Sequence, residues 1–524
     1  MGGMIEIGAR YTRRRFLIVA GGAAGLAAVG CTVGASAAVG PTAAEIGAAE
    51  SKRRAASAAV RDFALTAHVG EIGIGSRRVR TWSYGGQLPG PELRVKAGDV
   101  LRAVVRNDLP DPTTIHWHGI ALRNDMDGVP GMTQAPIAPG TSFTYEFAVP
   151  DPGTYFFHPH VGLQLDRGLY GPLIVEDPRE PLAYDRELVI VLDDWTDGVG
   201  ETPDAILARL KQSGGTMPGM PGMPVASGQP GMPGHAGAAA TAQPATAPPA
   251  TMGAGPLGGD GGDIRYPLYL VNGRPPEDPA TFDAKPGERL RLRIINAGSD
   301  TAFRIAVGAH MVQVTHSDGF PVRPVDGDAI LIGMGERYDA LLTVGASGRY
   351  PIVALAEGKG AEARAVLRVS GASGLPTATR PRELDGRLVT VHQLRATAAE
   401  ALAPATPTRT HRLELGGGMM GGYRWTINGK TFDAAVPLPV RSGERVRLLV
   451  DNRTMMFHPM HLHGHTFAVV GANADGPRKD TVIVRPMESL AIDLVADNPG
   501  QWAIHCHNLY HAEAGMMTTL SYVR

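Results

Sequence analysis

Hydrophobic and polar residues alternate with a period of two in three related stretches of the chain. GGQLPGPELRVKAGDVLRAVVRN occupies 85–107, NGRPPEDPATFDAKPGERLRLRIIN occupies 272–296, and NGKTFDAAVPLPVRSGERVRLLVDN occupies 428–452. Each runs from a Gly-containing turn through a Pro-containing approach into Gly-(Glu/Asp)-x-(Leu/Val)-Arg, then into an alternating apolar run that ends in Asn. Alternation of this kind sends every second side chain to one face, so each copy predicts a hairpin edge entering a half-buried strand. The copies recur at intervals of roughly 150–190 residues, too wide for a solenoid. With Gly, the acid, Arg and Asn repeating in order, they predict an all-β chain of three homologous β-sandwich domains.

Composition sharpens this picture. A chain of 524 residues is too long for one ordinary core. Its 68 Gly and 42 Pro suit a turn-rich β protein. A formal net charge of -1 gives no electrostatic reason to expect nucleic acid or an anionic membrane surface as partner. One tract, 213–262, consists of Gly, Pro, Ala and Met with almost no charge. It cannot bury enough apolar surface to fold alone and predicts a disordered insertion, preceded by a short helix at Pro203–Lys211. The expected organisation is a leader over 1–38, a poorly ordered segment over 39–60, and domains over 61–180, 181–370 and 385–524, with a linker over 371–384.

The leader has a basic start, Arg13-Arg14-Arg15 before Phe16-Leu17-Ile18, an apolar stretch to about Val29, and small residues around Ala35-Ser36-Ala37. These are the parts of a signal peptide, and the paired arginines resemble a twin-arginine export signal. Export to the periplasm or cell envelope is expected. Cys31 follows Ala28-Val29-Gly30, a lipoprotein-like box without its usual Leu, so both removal and lipidation of Cys31 are open. Either fate leaves Cys506 as the only free thiol, unable to form an intramolecular disulfide.

Chemistry concentrates in histidine. Of 17 histidines, ten fall in four clusters: HWHG at 116–119, HPH at 158–160, HPMHLHG at 458–464 and HCHNLYH at 505–511. On a strand, residues i and i+2 share a face, so each H-x-H projects two imidazoles toward one metal site. In His505-Cys506-His507 the thiol then faces the opposite side and serves a second centre. Cys506, His511 and one histidine of the third cluster make a His₂Cys set, with Met516 placed as a weak axial ligand. That set is the signature of an electron-transfer copper. Zinc gains nothing from a thiolate between two histidines of another centre. The remaining histidines lack such company, and His465 reads as a core residue.

All four clusters, in this order and spacing, resemble the copper-binding signatures of the multicopper oxidases, the laccase-like family. HWHGIALRNDMDG, LDDWTDG and TMMFHPMHLHGHTF resemble most the mycobacterial members linked to copper resistance. The resemblance implies three cupredoxin-like, Greek-key domains and four copper ions. His458, Cys506, His511 and Met516 would hold the type 1 copper, and His116 and His461 the type 2. His118, His158, His160, His463, His505 and His507 would hold the type 3 pair. It further implies an oxygen-reducing enzyme in which Cys506 carries electrons inward and Asp127 supplies protons. A second carboxylate usual directly after the type 1 histidine is replaced here by Ala512. Glu513 comes one residue later and faces the wrong way if the segment is extended.

The expected partners are O₂ and a small reductant. Met217, Met220, Met223 and Met232 recur in GMPG-like units that would align thioethers along a polyproline II chain, and soft sulfur selects cuprous ion. Cu(I) is therefore the first expectation, with phenols, aromatic amines or Fe(II) as alternatives. Met455 and Met456, just before His458, are further candidates for holding it. Monomer and homo-oligomer both remain open.

Overall fold

The computed structural model describes residues 40–55, 58–213, 255–259, 261–376, 379–418, 422–470 and 475–524. The expected leader, Cys31 and the methionine repeats of the 213–262 tract lie outside them.

Three times, the alternating strand ending in Asn lies parallel to the strand that opens its sandwich. Val100–Asp108 pairs with Val60–Ile74, Arg289–Asn296 with Arg186–Trp195, and Arg445–Asn452 with Arg409–Gly417. Two four-stranded sheets form the first sandwich, two six-stranded sheets the second, and a six- and a five-stranded sheet the third. The repeated asparagine has a single physical reason. Oδ1 of Asn107, Asn296 and Asn452 accepts the N–H two residues on, from Leu109, Gly298 and Thr454, each at 2.9 Å. The amide nitrogens donate across to the carbonyls of Ile137, Ile332 and Val484. All three are buried, where an unpaired amide would cost free energy. In the third copy this bracket fixes the loop that leads to His458.

Two boundaries differ from expectation. The segment 39–60 is not poorly ordered throughout, because Ala43–Arg53 is a helix with a complete Thr42–Glu45 capping box. It docks through Glu50, whose Oε1 accepts the N–H of Ala148 at 2.6 Å. The expected linker 371–384 ends docked on the middle sandwich, and 385 does not begin the third sandwich. Leu384 packs with Ala306, Ala329 and Val353, and Leu388–Val389 adds a parallel strand to the middle sandwich. The helix before the insertion is present as Pro203–Ser213.

Candidate metal centres

Two short strand pairs build the larger centre. His116–His118 runs antiparallel to Gly153–His158 with His116 opposite His158. His458–Leu462 runs beside Gln501–Cys506 with His461 opposite His505. The first pair belongs to the first sandwich and the second to the third, so the two histidine faces meet between them. Nε2 of His116 lies 3.3 Å from Nε2 of His461. Nε2 of His505 lies 3.4 Å from that of His160 and 3.0 Å from that of His463. The His507 ring stands edge-on to His118 and His158, with centroids at 4.9 and 5.3 Å.

The alternation read from HCH holds. Cys506 Sγ points away from the histidine cluster, 3.6 Å from Nδ1 of His458 and 3.7 Å from Nδ1 of His511. Those two nitrogens are 3.1 Å apart. Cys506 is a buried free thiol. Met516 is buried too, and its carbonyl accepts the Cys506 N–H at 3.1 Å. His465 has a core role, with Nε2 2.7 Å from the Tyr522 hydroxyl.

Electrostatics suit a metal. Burial, reinforced by neighbouring imidazoles, pushes His118, His158, His160, His458, His463 and His507 well below the usual imidazole range, and His505 to about 3. They are neutral imidazoles, the form that can ligate a metal. Nδ1 of His118, Nε2 of His158 and both ring nitrogens of His507 are buried with no hydrogen-bond partner. Polar atoms left in this state are costly unless an ion takes their lone pairs. The donor set therefore fits copper.

Asp127 is brought into this centre. Its Oδ2 lies 3.0 Å from Nδ1 of His463. Oδ1 stands 3.2 Å from Nδ1 of His116, but that nitrogen is engaged by the Asp127 carbonyl at 3.0 Å, so Oδ1 has no hydrogen-bond partner. Glu513 corrects an expectation. The segment is not extended. Asn508 caps a helix over Leu509–Glu513 by accepting the N–H groups of Tyr510 and His511. Glu513 thereby lines a cavity of about 20 Å³ with His158, His160, His505 and His507. That is room for about one water.

Sequence reasoning missed two carboxylates. Asp263, just past the insertion, lies 3.0 Å from Nε2 of His511 and also accepts from the Tyr423 hydroxyl at 2.5 Å. Asp480 lies 3.1 Å from Nε2 of His118, and its carbonyl is 2.9 Å from Nδ1 of His461. Neither sits in a histidine motif, so no local signal marks them.

Three successive segments, 70–180, 186–372 and 404–523, match the multicopper oxidase family. The chain is a multicopper oxidase. It is 49% identical over 519 residues to the multicopper oxidase MmcO of Mycobacterium tuberculosis, covering 98% of this chain and 97% of that one. It is 30% identical to copper resistance protein A of Escherichia coli, covering 88% and 92%. The laccase from Botrytis aclada superposes with a TM-score of 0.66 at 26% identity, covering 89% and 88%. Fet3p, a multicopper oxidase that functions in iron import, superposes with a TM-score of 0.71 over 88% and 90% at 21% identity, a likeness of fold. Members of this family hold one type 1 copper, one type 2 and a type 3 pair, and this chain is an oxygen-using oxidoreductase of that kind.

Proposed function

We propose that this multicopper oxidase oxidises Cu(I) to Cu(II) in copper detoxification. Four Cu(I) ions and four protons would be consumed for each O₂ converted to two waters. In this reading His458, Cys506, His511 and Met516 hold the type 1 ion. His116 and His461 hold the type 2 ion, with His118, His158 and His507 at one type 3 position and His160, His463 and His505 at the other. Bound copper would supply one-electron acceptance at the first site and multi-electron oxygen reduction at the second. The chain's own part is to connect the two through the Cys506 main chain and its flanking imidazoles. Asp127 and Glu513 would bring protons from two sides of the cluster.

The observation that carries the substrate reading is a pair of exposed methionines on loops joined through Thr454, whose hydroxyl contacts His458. The Thr454 hydroxyl lies 2.8 Å from Nε2 of His458, and the Thr454 carbonyl accepts the N–H of Met487 at 3.2 Å. Met455 and Met487 stand 50% and 51% exposed on these adjoining loops, whereas most large apolar side chains among the described residues are buried. Met487 also breaks a local rule. Lys285-Pro286-Gly287-Glu288 and Arg485-Pro486-Met487-Glu488 are the same turn, each closed by the acid accepting the N–H three residues back. Gly287 has φ 79° and Met487 φ 58°, so a methionine occupies a left-handed position that favours glycine. The exit of the methionine-rich insertion is anchored here as well, since Leu257 packs with Phe457 and Ile483. Exposed soft sulfur on loops that contact a proposed type 1 ligand supports a cuprous substrate.

Asp263 supports a second reading. A carboxylate on the outer nitrogen of His511 suits a phenol, whose proton it would accept, or the harder Fe(II) ion. Steady-state kinetics with Cu(I), Fe(II) and a phenol on fully copper-loaded protein test the two. The proposal expects Cu(I) to have the highest kcat/KM, and a phenol leading by tenfold would reverse it. Export is part of the proposal, supported by the resemblance of residues 1–38 to a twin-arginine export signal. A reporter fused to residues 1–38 should reach the periplasm, and retention in the cytoplasm would count against it.

A further inference from the structure

The middle sandwich contributes none of the ten clustered histidines, yet one of its side chains reaches the centre built by the other two. Arg337 lies on strand Arg337–Thr343 and is fully buried. Its guanidinium grips Asp480 with two parallel bonds, Nη1 to Oδ1 at 2.7 Å and Nη2 to Oδ2 at 2.6 Å. Nε donates to the carbonyl of Thr154 in the first sandwich at 3.0 Å. A single side chain therefore joins all three sandwiches.

The main chain of the same region is held too. Asp318 accepts the N–H of Arg337 at 2.9 Å, and its other oxygen accepts those of Asp480 and Thr481 at 3.2 and 3.1 Å. Lys479 reaches Asp318, Glu336 and Ser317 at 3.1, 3.2 and 2.7 Å. Five buried charges thus alternate from Glu336 through Lys479, Asp318 and Arg337 to Asp480. Ion pairs of this kind seldom stabilise more than well-packed apolar residues would, so their presence asks for another reason.

The reason lies at the end of the chain of charges. Asp480 and Thr481 together engage Nε2 of His118 and Nδ1 of His461, the one at 3.1 Å from both Asp480 Oδ1 and Thr481 Oγ1. His461 Nδ1 is 2.9 Å from the Asp480 carbonyl and 3.0 Å from Thr481 Oγ1. A nitrogen that donates here leaves the other one free as a lone pair. It is Nδ1 of His118 that is buried and orphaned, and Nε2 of His461 that faces His116. Two glycines record how close the middle sandwich comes. A Cβ on Gly119 would fall 2.4 Å from Arg337 Nη2 and 2.6 Å from Asp480 Oδ2. One on Gly335 would fall 2.8 Å from the His507 ring and 3.0 Å from His118.

We propose that Arg337 is a positioning residue for the three-copper cluster: by clamping Asp480 bidentately it sets which nitrogens of His118 and His461 face the metals. This rests on the reading of those two histidines as copper ligands. A guanidinium suits the task because its planar fork fixes the carboxylate's orientation, which the point charge of lysine cannot do. Partners that orient metal-bound histidines are commonly worth about 10–100-fold in affinity or activity.

The test compares Arg337→Gln and Arg337→Lys with the wild type, all copper-loaded. The Cys506 site uses third-sandwich ligands only, so its thiolate charge-transfer band reports folding independently. The inference expects that band to persist in both variants while the type 2 EPR signal shifts or disappears and bound copper falls below four. Stopped-flow reoxidation of the reduced protein by O₂ should slow about 10–100-fold in Arg337→Gln, with Arg337→Lys between it and the wild type. An Arg337→Gln protein with four coppers, an unchanged type 2 spectrum and unchanged reoxidation would overturn the inference. If that variant does not fold, Arg337→Lys decides, since wild-type spectrum and reoxidation there would equally contradict a need for the fork. A copper-loaded wild type without a type 2 signal would overturn the ligand reading, and the inference with it.

Discussion

Asp263 and His511 lie 248 residues apart in the chain, yet a carboxylate oxygen of one stands 3.0 Å from the outer ring nitrogen of the other. The contact joins the exit of the insertion to the His₂Cys site, on the edge of His511 that faces away from Cys506. A negative charge here favours the oxidised state of any metal that His511 holds. Asp263→Asn should raise the type 1 reduction potential by about 60 mV, one tenfold step in a one-electron equilibrium. Redox titration of the thiolate band measures it, and an unchanged potential would mean the charge is not felt at the metal.

Met487 offers a substitution that removes a side chain while relieving the backbone. Met487→Gly should stabilise the fold by about 1 kcal/mol, because glycine carries no left-handed penalty. In the same protein KM for Cu(I) should rise several-fold while phenol turnover stays unchanged. Calorimetry and parallel kinetics separate the effects. A raised melting temperature with unaltered Cu(I) kinetics would reduce Met487 to a surface residue.

Asp127 holds His463 and keeps one oxygen without a hydrogen-bond partner beside the cluster. Asp127→Asn keeps the shape and removes the acid. Reoxidation by O₂ should slow about 100-fold, the lower end of what a positioned proton donor contributes, while anaerobic reduction of the type 1 site is unaffected. Loss of both rates together would point to a damaged structure instead.

Legibility in the sequence followed the range of each physical signal. Alternation and the Gly-acid-Arg-Asn order are local, so the three sandwiches and the strand parity of His505, Cys506 and His507 could be read directly. Glu513 was misjudged because one residue, Asn508, caps a helical turn and abolishes the strand parity on which the reading depended. Arg337, Asp480 and Asp263 left no trace. Arg337 meets its partner 143 residues away, and Asp480 meets His118 across 362, and no periodicity records pairings between sandwiches. The helix Ala43–Arg53 was missed although Thr42 and Glu45 spell its capping box, because the Ala/Gly content around it suggested disorder.

The buried imidazoles make stability depend on pH in a defined direction. In the copper-free protein eight of the clustered histidines, His118, His158, His160, His458, His461, His463, His505 and His507, have folded pKa values below the unfolded value of about 6.5. Below that pH the unfolded chain binds more protons than the folded one, so stability falls as pH falls. Each group contributes up to about 1.4 kcal/mol per pH unit until its own folded pKa is reached. Melting temperatures of copper-free protein should drop steeply from about pH 6.5 downward, and copper should raise them most near neutrality. A flat profile between pH 7 and 5 would contradict the burial of these rings.

The central claim is that Cys506 serves one metal while His505 and His507 serve others. Copper counting with absorption and EPR spectra, on the wild type and on Cys506→Ser, addresses it most directly. The wild type should bind four coppers and show an intense thiolate charge-transfer band; the variant should lose that band while keeping the type 2 signal and three coppers. A colourless copper-loaded wild type, or a variant in which the type 2 signal vanishes along with the band, would contradict the account.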